Sequence, residues 1–232
     1  MTDPIVTVLT PTIGEESLYR LIDSMNKQSV PWVHILLWDN KRSNDEDAIW
    51  PGNVDDQFSL DMPEGCVRYN ICIPGAFVKG EACGSALRGV GLMAANTEYV
   101  TFADSDVWME PDHLSSLVEA MDCREWAYGV RKIWTKDQEY LGEDHFESVG
   151  DDNAKRKVSY ELVDNNTLMV TRRFGVSAAP LYRETADYND DRLMYAFLKK
   201  YGGLSGKTNK ATLNQACPQR LEDMFRRHCI NK

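Results

Sequence analysis

Apolar residues recur along this chain in two rhythms. Short runs with strand character occupy Ile5 to Leu9, Val33 to Trp38, Val67 to Ile73 and Tyr99 to Ala103. Between them the apolar spacing lengthens to that of a helix. Residues 15–28 carry Leu18, Leu21, Ile22 and Met25 on one stripe, and 85–95 carry Leu87, Val90, Gly91, Met93 and Ala94. Pro111 opens a further helix at a favourable early position, with Leu114, Leu117, Val118 and Met121 inward. Strand and helix therefore alternate through the first half. That pattern predicts a parallel sheet covered by helices on both faces.

The second half has a different texture. Trp126 to Trp134 alternates in polarity like a strand, and Val158 to Val163 and Thr167 to Thr171 are further strand candidates. Residues 142–157 are polar and read as a loop, as do Thr10-Pro11-Thr12-Ile13-Gly14, which carry turn chemistry. Asn189 to Tyr201 is expected to be a helix with an Asn or Asp cap and Leu193, Ala196 and Phe197 inward. A last short helix is expected over Leu221 to His228. No repeat and no low-complexity linker divides the chain. One domain is the simplest account, with a nucleotide half at 1–106 and an acceptor half at 107–232.

Composition narrows the functions. The net charge of −10 argues against a nucleic-acid surface, which needs a basic stripe. A small polyanionic ligand is still open to it, because a bound metal supplies local positive charge. No apolar run reaches the roughly 18 residues of a membrane span. The start, MTDPIVTVLTPT, lacks the basic and apolar regions of a secretory leader. Six cysteines are scattered without C-x-x-C spacing. They suggest free thiols in a reducing cytoplasm, with a Cys66–Cys72 bridge as the alternative.

The chemistry concentrates at YVTFADSD, residues 99–106. A buried parallel strand running into Asp104 and Asp106 places two carboxylates at the carboxyl edge of a sheet, where α/β proteins bind ligands. The triplet alone is weak evidence. With 21 Asp in 232 residues, about two D-x-D triplets arise by chance. The other, Asp45-Glu46-Asp47, follows no strand and reads as a solvated loop. Hard oxygen ligands suit Mg²⁺ or Mn²⁺ shared with a diphosphate. Two like charges ~4 Å apart repel by roughly 4 kcal/mol at an effective dielectric near 20, so a diphosphate beside these acids calls for a cation.

Three strand ends now offer polar groups: Thr10-Pro11-Thr12, Asp39-Asn40 and Asp104-Ser105-Asp106. With the stretches VTVLTPTIG, LLWDN and GSALRGVGLMAANTEYVTFADSDVWMEPDHL, the chain resembles GT-A fold glycosyltransferases, especially glycosyltransferase family 2. The resemblance covers residues 5–121 well and 165–203 more loosely. It implies an α/β, Rossmann-like three-layer GT-A fold with a mostly parallel central sheet. It also implies that Thr10, Pro11 and Thr12 line the nucleotide pocket and that Asp39 accepts a hydrogen bond from the base, usually uracil. Arg88 would sit near the diphosphate or base. Asp104, with Ser105 beside it, would lie towards ribose and metal, and Asp106 would be the principal Mn²⁺ or Mg²⁺ ligand. His228 and His145 are candidates for a third metal ligand.

The chain departs from the family pattern at two places. The Asn that follows the family's Arg is Gly89 here, and the family's second acid after Asp39 is Asn40. The family's late acidic pair corresponds to Asp190 and Asp191. Successive helical residues point about 100° apart, so only one of them can face the acceptor as general base; the alignment favours Asp190. Blander roles stand beside these. Both acids could cap a helix. Asp39, Thr10 and Thr12 could be turn residues, and Arg88 could pair with Glu81 or Asp112. Glu143-Asp144 is a decoy pair in a polar loop. Trp108, Trp134 and Tyr182 are candidates for stacking on sugar faces or for the core.

The resemblance implies metal-dependent transfer of a sugar from a nucleotide-sugar donor, a UDP-sugar by preference. The acceptor would be a glycan or other hydroxyl compound, the reaction would invert the anomeric carbon, and the setting would be cytoplasmic glycan synthesis. Two other classes compete. A nucleotidyltransferase would want a Gly-rich basic loop after the first strand, and TPTIGEES has one Gly and no Lys or Arg. A non-catalytic nucleotide-sugar-binding module would bind donors without turnover.

Overall fold

In the computed structural model of the chain, residues 3–39, 62–73, 84–144, 148, 150, 162–182, 190–217 and 219–229 are described. The strands among them are β1 (Val6–Thr12), β2 (Trp32–Asp39), β3 (Val67–Ile73), β4 (Tyr99–Phe102), β5 (Val107–Met109), β6 (Trp126–Trp134), β7 (Tyr140–Glu143), β8 (Leu168–Thr171) and β9 (Gly206–Ala216). The helices are α1 (Ser17–Asn26), α2 (Ser85–Ala94), α3 (His113–Met121), α4 (Arg172–Ala178), α5 (Asp190–Tyr201) and α6 (Gln219–Cys229).

All the strands join one sheet in the order β3-β2-β1-β4-β8-β6-β9-β5, with β7 added on β6. The first four are parallel. Antiparallel pairing enters at β8 and again at β5 and β7, while β6 and β9 are parallel. The inner parallel strands are buried on both faces and are continuous apolar runs rather than alternating ones: β1 and β2 are buried at every residue, while β3 at the edge is partly exposed.

The core lies in two layers, one on each face of the sheet. On one face, Leu18, Leu21, Ile22 and Met25 of α1 and Leu114, Leu117 and Met121 of α3 pack on Val6, Val8, Trp32, Leu36 and Met169. On the other, Leu87 and Leu92 of α2, Phe174 of α4, and Met194, Tyr195 and Leu198 of α5 pack on Leu9, Ile35, Leu37, Phe102 and Val170. This is the three-layer arrangement expected from alternating strands and helices.

Several expectations change. Thr10, Pro11 and Thr12 are not a turn after the first strand; they are its last three residues, paired with Leu36, Leu37 and Trp38. Proline is tolerated there because β4 pairs only with Val6 to Leu9, leaving one side of Pro11 without a ladder. In α5 the inward stripe is Met194, Tyr195 and Leu198, whereas Leu193 and Ala196 face outward. The helix carries two apolar stripes, and the bulkier one is buried. Val163 is buried but lies outside any strand, and 158–161 fall outside the described residues. The polar loop expected from 142 begins inside β7. Strands β5 and β9 and helix α4 were not foreseen. The sequence of β9, GKTNKATLNQA, is mostly polar, and pairing with β6 and β5 on its two sides holds it as a strand.

Candidate functional site at the carboxyl edge

The register brings the expected residues to one edge. Leu9 pairs with Phe102, so Ala103 to Asp106 emerge beside Thr10 to Thr12, and Asp39 closes the neighbouring strand. Asp39 is buried. The Thr10 side chain is fully buried and its hydroxyl bonds to His34 Nε2 at 2.9 Å, while Thr12 Oγ1 accepts from the Gly14 amide at 3.0 Å. Ser105 donates its hydroxyl to the Glu15 carboxylate, across 90 residues of sequence. Asp45-Glu46-Asp47 and His145 lie outside the described residues, and so does the side chain of His228.

Arg88 is the hub. Its Nη2 donates to Asp104 Oδ1, and its Nη1 lies 3.8 Å from Asp190 Oδ2. It pairs with neither Asp112 nor solvent, since the side chain is only 12% exposed and Asp112 pairs with Lys210. Burial disfavours its charge, but Asp104, Asp191, Tyr182 and Asp190 together outweigh that and hold the guanidinium firmly protonated. Helix α2 thus carries one cation to meet acids from the end of β4 and the start of α5.

Asp104 is held from a second side. Asn166 Oδ1 accepts from the Asp104 amide at 2.6 Å, and Asn166 Nδ2 donates to Asp104 Oδ2 at 3.0 Å. Asn166 is itself fixed, because its amide donates to Asp164 Oδ1 at 2.8 Å. Asp164 Oδ2 accepts from Arg131, whose Nε donates to Asp144 Oδ2 at 2.8 Å. Asp144, just past the end of β7, thus has a structural role. It is completely buried as a partner of Arg131. Sequence reading missed Asn166, Asp164, Arg131 and Glu15. The one local signal was Asp164-Asn165-Asn166, where Asp164 caps a short 3₁₀ turn by accepting from the residue two ahead.

Asp106 has a different environment. Its Oδ1 is buried with no hydrogen-bond partner. Burial pushes its carboxyl up to about 7, and Asp104, Asp164 and Glu15 add to the rise. A cation would complete the orphaned oxygen and relieve the clustered negative charge, so the residues present fit one. Both Asp104 oxygens already accept hydrogen bonds, so the orphaned Asp106 oxygen is the freer donor of the two acids. Among the described residues no group of three or more His, Cys, Asp or Glu is placed to hold a metal.

Asp190 and Asp191 open α5. Asp190 Oδ1 is buried without a hydrogen-bond partner. The Asp191 carboxyl is pushed up to about 8, first by burial and then by Asp164, with Arg88 opposing. Of the aromatic candidates, Tyr182 is a core residue: it is buried and donates its hydroxyl to Asn165 Oδ1 at 2.8 Å. Trp108 and Trp134 are half-buried.

Residues 83–186 match the model of the glycosyl transferase family 2. Residues 1–349 of S. aureus TarS, in complex with UDP-GlcNAc, superpose with a TM-score of 0.66 at 17% identity, over 92% of this chain and 59% of that one. The same protein in complex with UDP gives 0.65 at 17% identity, over 96% and 63%. The chain has the GT-A fold, with a family 2-like stretch over residues 83–186. This GT-A chain spans about three-fifths of the length of those TarS structures. A longer S. aureus TarS structure matches over 38% of its length, with a TM-score of 0.61 at 16% identity. No curated protein matches the chain in sequence.

The GT-A frame explains one departure from the family pattern. A Cβ at Gly89 would sit 2.8 Å from the Tyr182 carbonyl oxygen and 3.1 Å from that of Ala179. Helix α2 approaches the backbone that follows α4 too closely for any side chain there, so the family's Asn has no room. No helix among the described residues is long and apolar enough to cross a membrane, and Cys66, Cys72, Cys123 and Cys217 are free.

Proposed function

We propose that this chain transfers a sugar from a nucleoside diphosphate donor, a UDP-sugar by preference, to a hydroxyl of a glycan or similar acceptor. The observation that carries the reading is the convergence of Asp104, Asp106, Arg88, Asp190 and Asp191 at the carboxyl edge of β1, β2 and β4. The family match over 83–186 supports a transferase, and the UDP and UDP-GlcNAc held by the TarS structures motivate the donor class.

In this reading the end of β1 and Asp39 border the nucleoside, with the Thr10 hydroxyl engaged by His34 behind them and Asp104 and Ser105 towards the ribose. Asp106, with Asp104 behind it, would hold Mg²⁺ or Mn²⁺, which when bound supplies positive charge at the leaving diphosphate. Arg88 holds Asp104 and Asp190 in place. Asp190 is the general base: Arg88 fixes its Oδ2 side, and its buried Oδ1 has no hydrogen-bond partner. The acceptor oxygen attacks the anomeric carbon as its proton passes to Asp190. The bond from that carbon to the diphosphate breaks, UDP leaves with the electron pair, and the configuration inverts. Asp191, whose proton is retained to higher pH, orders the start of α5 beside Arg88. The free cysteines suit a reducing cytoplasm as the place of this chemistry.

A thermal-shift screen of nucleoside diphosphates, with Mn²⁺ and with chelator, tests the donor side. UDP at 100 times its dissociation constant stabilises the fold by about 2.7 kcal/mol. The shift should need metal and vanish in Asp106→Ala. A well-folded Asp106→Ala protein with undiminished metal-dependent binding and transfer would sink the assignment. On the transfer side, Asp190→Asn should lower turnover by at least about a hundredfold while UDP binding persists.

A further inference from the structure

Beyond the donor acids, a row of aromatic rings starts two residues after Asp106. Trp108 of β5 lies 5.9 Å from Trp134 of β6, centroid to centroid, and Trp134 lies 5.0 Å from Tyr140 of β7. The rings come from three different strands; β9 separates Trp108 from Trp134, and direct pairing of β6 with β7 places Trp134 beside Tyr140. Trp108 pairs with Asn214, Lys132 pairs with Asn214, and Trp134 pairs with Tyr140. None of the three rings belongs to the buried core, and Tyr140 is 49% exposed.

The inner end is pinned to the candidate site. The guanidinium of Arg20, from α1, sits 3.5 Å over the Trp108 ring and donates to Gln138 Oε1 at 3.1 Å. The same guanidinium is near enough to Asp106 to feel its charge. The rim is polar and balanced. Trp134 Nε1 donates to Asn214 Oδ1 at 3.0 Å, Asn214 Nδ2 donates to Glu110 Oε1 at 3.2 Å, and Lys132 Nζ donates to Glu110 Oε1 at 2.6 Å.

We infer that this ridge is the acceptor subsite, and that it takes a neutral glycan chain laid along Trp134 and Tyr140 with its growing end towards Asp106. The inference deepens the proposed transferase reading and rests on it. A sugar ring offers an apolar face of C–H groups and a rim of hydroxyls. A half-buried aromatic row, exposed at Tyr140 and edged by an amide, a carboxylate and an ammonium, matches both. The ring spacing is comparable to that of successive sugars in an extended chain. Because Lys132 is paired with Glu110, Arg20 is set against Asp106 and Glu143 adds a negative charge near Tyr140, the ridge has no excess positive charge to attract a polyanion. An apolar peptide would leave that rim unpaired. The ridge is continuous with the donor edge, as an acceptor must be for its hydroxyl to reach the base.

The test uses the full chain, fluorescently labelled, on an array of immobilised neutral and anionic oligosaccharides in the presence of UDP and Mn²⁺. The variants are Trp134→Ala and the exposed Tyr140→Ala, which removes no core contact. The expected result is retention on one class of neutral glycan, falling about tenfold in Trp134→Ala and severalfold in Tyr140→Ala, with the UDP thermal shift unchanged in both. No retention by the wild type, retention only on anionic glycans, or equal retention by both variants overturns the inference. Glycan retention that depends on the ridge, in a wild type that shows no UDP shift, overturns the transferase reading and leaves the ridge standing.

Discussion

Replacing Arg131 with Met tests how the site is held. The Arg131 side chain is buried between Asp144, which is fully buried, and Asp164, and it also donates to Gln215 Oε1 at 2.6 Å. Met has similar reach and no charge. It leaves two carboxylates inside the protein without their shared cation. Breaking a buried ion pair by removing one partner costs about 3–5 kcal/mol, and two stranded acids place Arg131→Met towards the upper end. A urea slope of roughly 2–3 kcal/mol per molar is usual for a chain of this size, so the midpoint should fall by about 1–2 M with little change in slope. Far-UV circular dichroism in urea at pH 7 reads it. The triple variant R131M/D144N/D164N removes all three charges and should recover much of the loss. Arg131→Met should also weaken UDP binding, because Asp164 fixes Asn166 and Asn166 fixes Asp104. A midpoint within about 1 kcal/mol of wild type would refute the claim that this buried charge cluster braces the site.

Three further outcomes are expected. Asn166→Ala removes a hydrogen bond to a charged group, worth about 1.5–3 kcal/mol, and should weaken metal-dependent UDP binding at least about tenfold while the protein stays folded; calorimetric titration with UDP and Mn²⁺ reads it. The His113 imidazole is pushed down to about 4 by burial, so it stays neutral in the folded state while the unfolded chain takes up a proton near pH 6.5. Its contribution to stability is therefore whole above pH 6.5 and lost as pH falls towards 4, at about 1.4 kcal/mol per pH unit. The difference between wild type and His113→Asn in urea should shift by that slope between pH 6.5 and 5, and a flat difference would contradict it. Gly89→Ala forces a Cβ against the Tyr182 carbonyl oxygen at 2.8 Å. Overpacking of about 1–3 kcal/mol outweighs a helix-propensity gain of about 1 kcal/mol, so the melting temperature should drop by several degrees, and a rise would show that α2 has room to move.

The frame of the first half was legible in the chain alone. The runs at Val6, Trp32, Val67 and Tyr99, and the helical stripe of Leu18, Leu21, Ile22 and Met25, are local patterns whose period matches the element they form. Once those strands are parallel, their carboxyl ends share one edge, so Asp39, Asp104 and Asp106 could be placed there from order alone. Tertiary structure decided the rest. Arg88 found Asp104 and Asp190 rather than Asp112, and Glu81 lies outside the described residues. Asn166 reached Asp104 across 62 residues, and Glu15 reached Ser105 across 90. The polar run of β9 became a strand because β5 and β6 pair with its two sides. Which stripe of α5 faced inward, and why position 89 must be glycine, followed from what packs against those helices. Periodicity reports one residue's relation to its near neighbours in the chain. A carboxylate's partner, a strand's edge and a helix's clearance are set by groups that meet only when the sheet closes around them.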